Sequence, residues 1–172
     1  MKFITIDIET NGAIPDSDDL LLLSATKIID GKITETFSRL VKPLRPQTDE
    51  LELFTGISNV DLKDAASVEE VMEEFKTFSK DCVIVSYDDF EYSFIENKGF
   101  KADQVIYLRD YIKKVYTNMP RYIADAVLIS LGLEGVLKEY LSTELFYGKT
   151  RLFYSLKVAV IFLSVIENFL TE

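Results

Sequence analysis

The sequence predicts an α/β fold: a mixed sheet of five strands with helices packed on both faces. Three features predict it. The chain opens on a run of alternating side chains, two apolar segments then flank Asp30-Gly31, and two later short apolar runs each lead into helical spacing.

Each element can be justified in order. Residues 2 to 9 alternate, with Ile4, Ile6 and Ile8 on one face and Phe3, Thr5, Asp7 and Glu9 on the other, and their β-branching favours a strand. Residues 20 to 43 form two apolar segments about Asp30-Gly31, a pair that suits a tight hairpin turn, and Pro43 and Pro46 end the second segment. Residues 48 to 80 are expected to be mostly helical. Ser67 followed by Glu70 reads as a capping box, and Val71, Phe75 and Phe78 lie at helical spacing behind it. The stretch CVIVS at 82 to 86 is a short buried strand. DDFEYSFIENKG then reads as a helix with acids in its first turn and Gly99 past its end. QVIYL at 104 to 108 supplies a fifth strand. The remainder is helical, broken near Pro120, Gly132 and Gly148, and a last helix starts at about Arg151. No composition shift marks a boundary, so residues 1–172 read as one domain.

Composition excludes several chemistries. Histidine is absent, which removes imidazole bases and imidazole metal ligands. Cys82 is the single cysteine, so neither an internal disulfide nor a cysteine-based zinc site can form. The net charge of −10 opposes tight nonspecific binding to nucleic acid. The apolar run from Val158 to Ile166 is too short to span a bilayer, and Asp7 arrives too early for a secretory signal. A soluble cytoplasmic protein with no membrane attachment is the expectation.

Asp7 and Glu9 are the first chemical signal. Period two puts both carboxylates on one face, where each raises the pKa of the other unless a cation intervenes. A hard divalent cation suits such a pair. An isolated Asp-x-Glu is nevertheless common by chance, and is then a pair of solvated acids at a strand end.

The context carries more. FITIDIETNG at 3 to 12, the Asp30-Gly31 hairpin, LVKP at 40 to 43, FTGIS at 54 to 58 and VIVSYDDFEYSFIE at 83 to 96 occur in one order and spacing. Together they resemble the DEDD 3′–5′ exonuclease superfamily, of the type that uses a histidine, and in particular relatives of the proofreading epsilon subunit of bacterial DNA polymerase III. The resemblance implies a ribonuclease H-like fold. It also implies removal of nucleotides from a 3′ end with two metal ions, Mg²⁺ or Mn²⁺, held by four acids. A histidine five residues before the last acid is the family's general base.

Residue by residue, the match is partial. Asp7 and Glu9 take the first two acidic positions. Glu91 stands where the third acid is an Asp, and Phe90 beside it is retained. The last segment is best matched by TRLFYSLKVAVIFL at 150 to 163, where Thr150 replaces the histidine and Ser155 the final Asp. The alternative, PRYIADA with Asp125 as the acid, comes too soon after Glu91 for the helices that normally intervene. A sister family uses Tyr four residues before the acid, but that slot is Arg151 here. The expected metal ligands are therefore Asp7, Glu9 and Glu91, with weakened binding of one ion.

The resemblance also assigns a substrate groove. Thr10, Asn11 and Gly12 would present donors to the 3′-terminal nucleotide, and Thr55, Gly56 and Ile57 would border it, with Ile57 as a wedge against the terminal base. Read locally, residues 10–12 are a strand-ending turn, Gly56 ends a helix and Ile57 packs in the core. Lys149 and Arg151 would be phosphate contacts or ordinary surface charges. Asp16, Asp18 and Asp19 read as a solvated loop.

Three functions follow. The leading one is a diverged 3′–5′ exonuclease homologue, a pseudoenzyme or nearly so, that keeps binding to single-stranded 3′ ends or to a protein partner. The second is an active Mg²⁺- or Mn²⁺-dependent exonuclease whose site is rearranged, with Asp88, Asp89 or Asp125 supplying the missing acid. The third is a protein-interaction module on the same fold.

Overall fold

The computed structural model describes residues 1–146 and 149–169. Five strands form one sheet in the order β3-β2-β1-β4-β5. They are β1 (Lys2–Thr10), β2 (Leu20–Ile29), β3 (Lys32–Leu40), β4 (Val83–Ser86) and β5 (Val105–Tyr107). β1, β2 and β3 run antiparallel, whereas β4 and β5 join β1 in parallel. The predicted five-stranded mixed sheet is the one observed.

The turn chemistry acts as the residues dictate. Asp30 and Gly31 both adopt positive φ, 48° and 76°, which gives the backbone twist that a two-residue hairpin needs. The parallel strands need crossovers, and helices supply them. Between β3 and β4 lie α1 (Asp49–Thr55), α2 (Asn59–Leu62) and α3 (Val68–Phe78). α3 starts on the expected box: Ser67 Oγ accepts from Glu70 N, and the Glu70 carboxylate accepts from Ser67 N. Between β4 and β5 lies α4 (Asp89–Asn97), capped reciprocally by Asp88 and Glu91, with Gly99 at φ 90° past its end.

Period two in β1 sorts its side chains onto two cores. Ile4, Ile6 and Ile8 pack with Val71, Met72 and Phe75 of α3 and with Phe94 and Ile95 of α4. Phe3 points the other way and meets Phe162, ring centroids 4.9 Å apart. That second layer is made by α5 (Leu108–Val115), α6 (Ala124–Ser130), α7 (Glu134–Leu141) and α8 (Phe153–Phe169). α8 is apolar almost all round because it lies between the sheet and the helices outside it. Among the described residues no helix is long and apolar enough to cross a membrane.

The boundaries differ in one instructive place. The last helix was expected from about Arg151, but Thr150–Leu152 form a 3₁₀ turn, because Leu152 N donates to Lys149 O at 3.0 Å, and α8 proper starts at Phe153. The break expected near Gly148 lies outside the described residues.

Candidate functional site

β1 pairs with β4 only through residues 3 to 5, so its last residues run on past the end of β4. Asp7 and Glu9 therefore stand in the crevice at the carboxyl end of the parallel strands, where sheets of this kind place ligands. Both line a cavity of about 530 Å³. Its other walls come from distant parts of the chain: Thr55–Ile57 at the end of α1, Thr150 and Arg151 in the 3₁₀ turn ahead of α8, and Tyr154 in the first turn of α8. The predicted groove residues Thr55, Gly56 and Ile57 thus face the same space as the predicted acids.

Electrostatics tie the acids together. The Asp7 carboxyl is held well above its ordinary pKa, first by burial and then by the charges of Glu91 and Glu9, while the Lys157 ammonium pulls it back down. Burial raises Glu9. Burial also raises Glu91, against a hydrogen bond from Ser86. Burial thus makes all three carboxyls resist ionisation.

Glu91 is less available than its position suggests. Its Oε2 accepts from Ser86 Oγ at 2.7 Å and from Asp88 N at 3.3 Å. The longer glutamate closes the capping box of α4, a task that occupies one carboxylate oxygen. The last segment departs further. Thr150 reaches the cavity wall. Ser155 is fully buried, its Oγ bonded to Thr26 Oγ1 and to Leu152 O, both at 3.1 Å, and its carbonyl accepts from Thr5 Oγ1 at 2.8 Å. It docks α8 on the sheet. Among the described residues no three acidic, His or Cys side chains are grouped closely enough to hold a metal ion. The expected ligand set Asp7, Glu9 and Glu91 does not close in this structure, because Glu91 is drawn into the cap. If Ser155 holds the place of the last acid, as the resemblance implies, these residues do not make up a two-ion ligand set.

The remaining candidates separate clearly. Gly56 ends α1 at φ 67°, and Ile57 is 2% exposed among Leu21, Leu22 and Leu62, yet its edge also lines the cavity. The core packing read locally is observed, and the same residue borders the cavity. Thr10, Asn11 and Gly12 do not line the cavity. Thr10 Oγ1 donates to Gly12 O at 2.6 Å, and Asn11 exchanges bonds with Asp19, its Oδ1 accepting from Asp19 N at 2.6 Å. The side-chain donors of Thr10 and Asn11 are spent on closing the 10–19 loop. The acids of that loop are not merely solvated: Asp16 accepts from Asn97 Nδ2 at 2.6 Å, and Asp18 accepts from Ile14 N at 2.8 Å. Lys149 and Arg151 both line the cavity, and Arg151 pairs with Asp61 at 3.5 Å. Of the substitute acids, Asp88 is taken by Arg109 at 2.7 Å, Asp89 is exposed, and Asp125 pairs with Lys157.

Two residues escape sequence reasoning. Tyr154 lines the cavity, and burial together with the charges of Asp125, Glu9 and Asp7 raises its hydroxyl pKa. Lys157, 2% exposed, reads in the sequence as the charge that brackets an apolar run. The signal for it was a lone cation three residues after Tyr154 on an otherwise apolar helix, because residues at that spacing share a face.

Comparison with known proteins follows the geometry. A family model described as exonuclease, RNase_T, matches residues 4–138. The chain belongs to the exonuclease family. Its sequence is 33% identical over 137 residues to the PolC-type DNA polymerase III of Thermotoga petrophila, covering 76% of this chain and 10% of that protein. The PolC-type polymerase of Caldanaerobacter subterraneus subsp. tengcongensis is 31% identical over 140 residues, covering 81% of this chain and 9% of the polymerase. The chain thus spans about a tenth of the length of these relatives. Among solved structures, Exonuclease X in complex with 5′ overhanging duplex DNA superposes with a TM-score of 0.74 at 18% identity, covering 96% of this chain and 92% of that one. A product-bound exonuclease I gives 0.71 at 14%, covering 96% and 43%. The fold is therefore the ribonuclease H-like fold of these exonucleases. The family match takes in Asp7, Glu9 and Glu91 and ends ahead of the segment at 150–155.

Proposed function

We propose that this chain is a 3′–5′ exonuclease-family domain that engages nucleic-acid 3′ ends while its two-metal hydrolysis is strongly impaired or lost. One observation carries the reading. Asp7 and Glu9 share an open cavity with Thr55–Ile57, whereas the residues that should complete the centre are a threonine at the wall and a serine turned into the sheet. Neither replacement does the original work. A positioned general base is worth roughly 10²- to 10⁴-fold, and Thr150 cannot serve as one near neutral pH. A neutral hydroxyl is a poor ligand for a hard divalent ion. Any Mg²⁺ or Mn²⁺ taken up by Asp7 and Glu9 is accordingly bound weakly, and the protein works in the cytoplasm with single-stranded ends as its partner.

The geometry supports end binding rather than a bare interaction module. The cavity is open, and Lys149 and Arg151 on its rim supply local positive charge in a chain of net charge −10. The test is 3′-end degradation and retention of a labelled single strand, DNA and RNA separately, in Mg²⁺ and in Mn²⁺, beside identically purified Asp7→Ala. The expected result is binding with no cleavage above the variant. Cleavage that vanishes in Asp7→Ala would overturn the impairment, and absence of binding to either strand would overturn the end-binding role.

A further inference from the structure

Lys157 has no place in the family's chemistry, and its surroundings are unusual. Lysine is almost never fully buried unless paired. Here the side chain is 2% exposed, yet its partner Asp125 is 64% exposed. Strength of pairing alone does not explain why the ammonium lies on the inner side of that contact. The rest of its environment is aromatic: Nζ lies 4.3 Å from the Tyr154 ring centroid and 4.9 Å from that of Phe153. Tyr154 is itself a wall of the cavity that holds Asp7 and Glu9. The ammonium thus rests against a ring that also borders the acidic cavity. α8 is fixed there, because Thr5, two residues before Asp7 on β1, donates to the carbonyl of Ser155, two residues before Lys157. That bond seats the helix that carries Lys157 on the strand that carries Asp7.

Charge accounting gives this placement a meaning. Four carboxylates balance two divalent ions in the family. With Ser155 in place of the last carboxylate and Lys157 shared with Asp125, the charges of Asp7, Glu9, Glu91, Asp125 and Lys157 sum to −3, too little to balance two divalent ions. We propose that Lys157 is a tethered counter-cation of the Asp7–Glu9 centre, which stands in for the charge of a missing ion and makes divalent metal a competitor of the ammonium rather than a partner of it. This rests on the reading of the cavity as the family's acidic centre, not on whether any hydrolysis remains. An ammonium satisfies nearby carboxylates through charge alone and imposes no octahedral geometry, so it tolerates a Glu91 that is committed elsewhere.

Mn²⁺ affinity, read by paramagnetic resonance of the free ion, tests the proposal without recourse to activity. Lys157→Met, which keeps the apolar stem, is expected to bind Mn²⁺ about tenfold tighter or more than the parent, because a fixed positive charge leaves a low-dielectric site. Lys157→Arg should stay near the parent, and Asp7→Asn placed on Lys157→Met should abolish the gain. Equal or weaker affinity in folded Lys157→Met, or a gain that survives Asp7→Asn, would show that Lys157 is only a pin between α6 and α8. Should Lys157→Met not fold, Asp125→Asn decides. Freed from its outer partner, the ammonium should oppose the metal more strongly and weaken Mn²⁺ binding well beyond Asp103→Asn, an exposed acid ahead of β5 at the other end of the parallel strands. No difference between those two would overturn the proposal. Exonuclease activity in the parent would sink the proposed impairment and leave this measurement standing.

Discussion

Restoring the lost acid with Ser155→Asp probes the site most directly, because the structure states what surrounds it. Ser155 is fully buried, and its Oγ contacts Thr26 Oγ1 and Leu152 O. A carboxylate can still accept from Thr26, but it cannot donate to Leu152 O, so one bond worth about 1 kcal/mol is lost and replaced by repulsion. Burying the new charge costs a further few kcal/mol. The sum is a destabilisation of about 3–5 kcal/mol. For a chain of this length each kcal/mol lowers the unfolding midpoint by roughly 2–4 °C, so a drop on the order of 6–20 °C is expected in metal-free buffer. Adding Mn²⁺ should recover much of it, since the new carboxylate turns the acidic centre into a better ligand set and ligand binding to the native state raises stability by mass action. Thermal unfolding by circular dichroism, with and without Mn²⁺, measures both. Ser155→Ala is the companion and should cost only about 1 kcal/mol, metal-independently. If Ser155→Asp is as stable as the parent and indifferent to Mn²⁺, position 155 does not face the centre and the matching of the last segment is wrong.

Further expectations follow from the same geometry. The pair Thr150→His with Ser155→Asp should gain Mn²⁺-dependent 3′-end cleavage, exceeding Ser155→Asp alone by roughly 10²- to 10⁴-fold, and a pair no more active than the single variant would mean that position 150 cannot reach the reacting phosphate. Asp7→Asn should raise the unfolding midpoint in metal-free buffer at neutral pH. The folded Asp7 carboxyl has a raised pKa, so the native state holds the proton longer, and stability is lost as pH rises through the ordinary carboxylate range to the folded value. The gain from Asn should therefore fade on acidification below that range, and a gain independent of pH would contradict the assignment. Phe75→Ala should cost about 3–5 kcal/mol in urea unfolding, because the ring is fully buried with centroids 4.8 Å from Phe100 and 5.5 Å from Phe37, and loss of less than about 1 kcal/mol would show a collapsible core.

The elements legible in the sequence are those governed by neighbours in the chain. Asp30-Gly31 specifies its turn because two successive positive φ angles suit few other pairs. Ser67 with Glu70 specifies a helix start through bonds that span three residues. Alternation in residues 3 to 9 specifies which face carries Asp7 and Glu9, since strand geometry leaves a side chain only two directions. The ordered set of such segments was enough to indicate the fold and the family.

Tertiary structure decided the destinations of long polar side chains. Glu91 carries the charge a third acid should have, but its extra methylene lets it close the cap of its own helix and meet Ser86. Asn11 looks like a donor to a ligand and instead holds Asp19. Ile57 serves core and cavity together, because the end of α1 is seated where the two meet. Lys157 appears as the edge of an apolar run until α6 brings Asp125 to it and the sheet brings Asp7. Local backbone preference is set by sterics within a few residues, and a sequence displays it. The charge balance of a site is summed over residues 7, 9, 91, 125 and 157, and only the folded chain brings those charges close enough to act on one another.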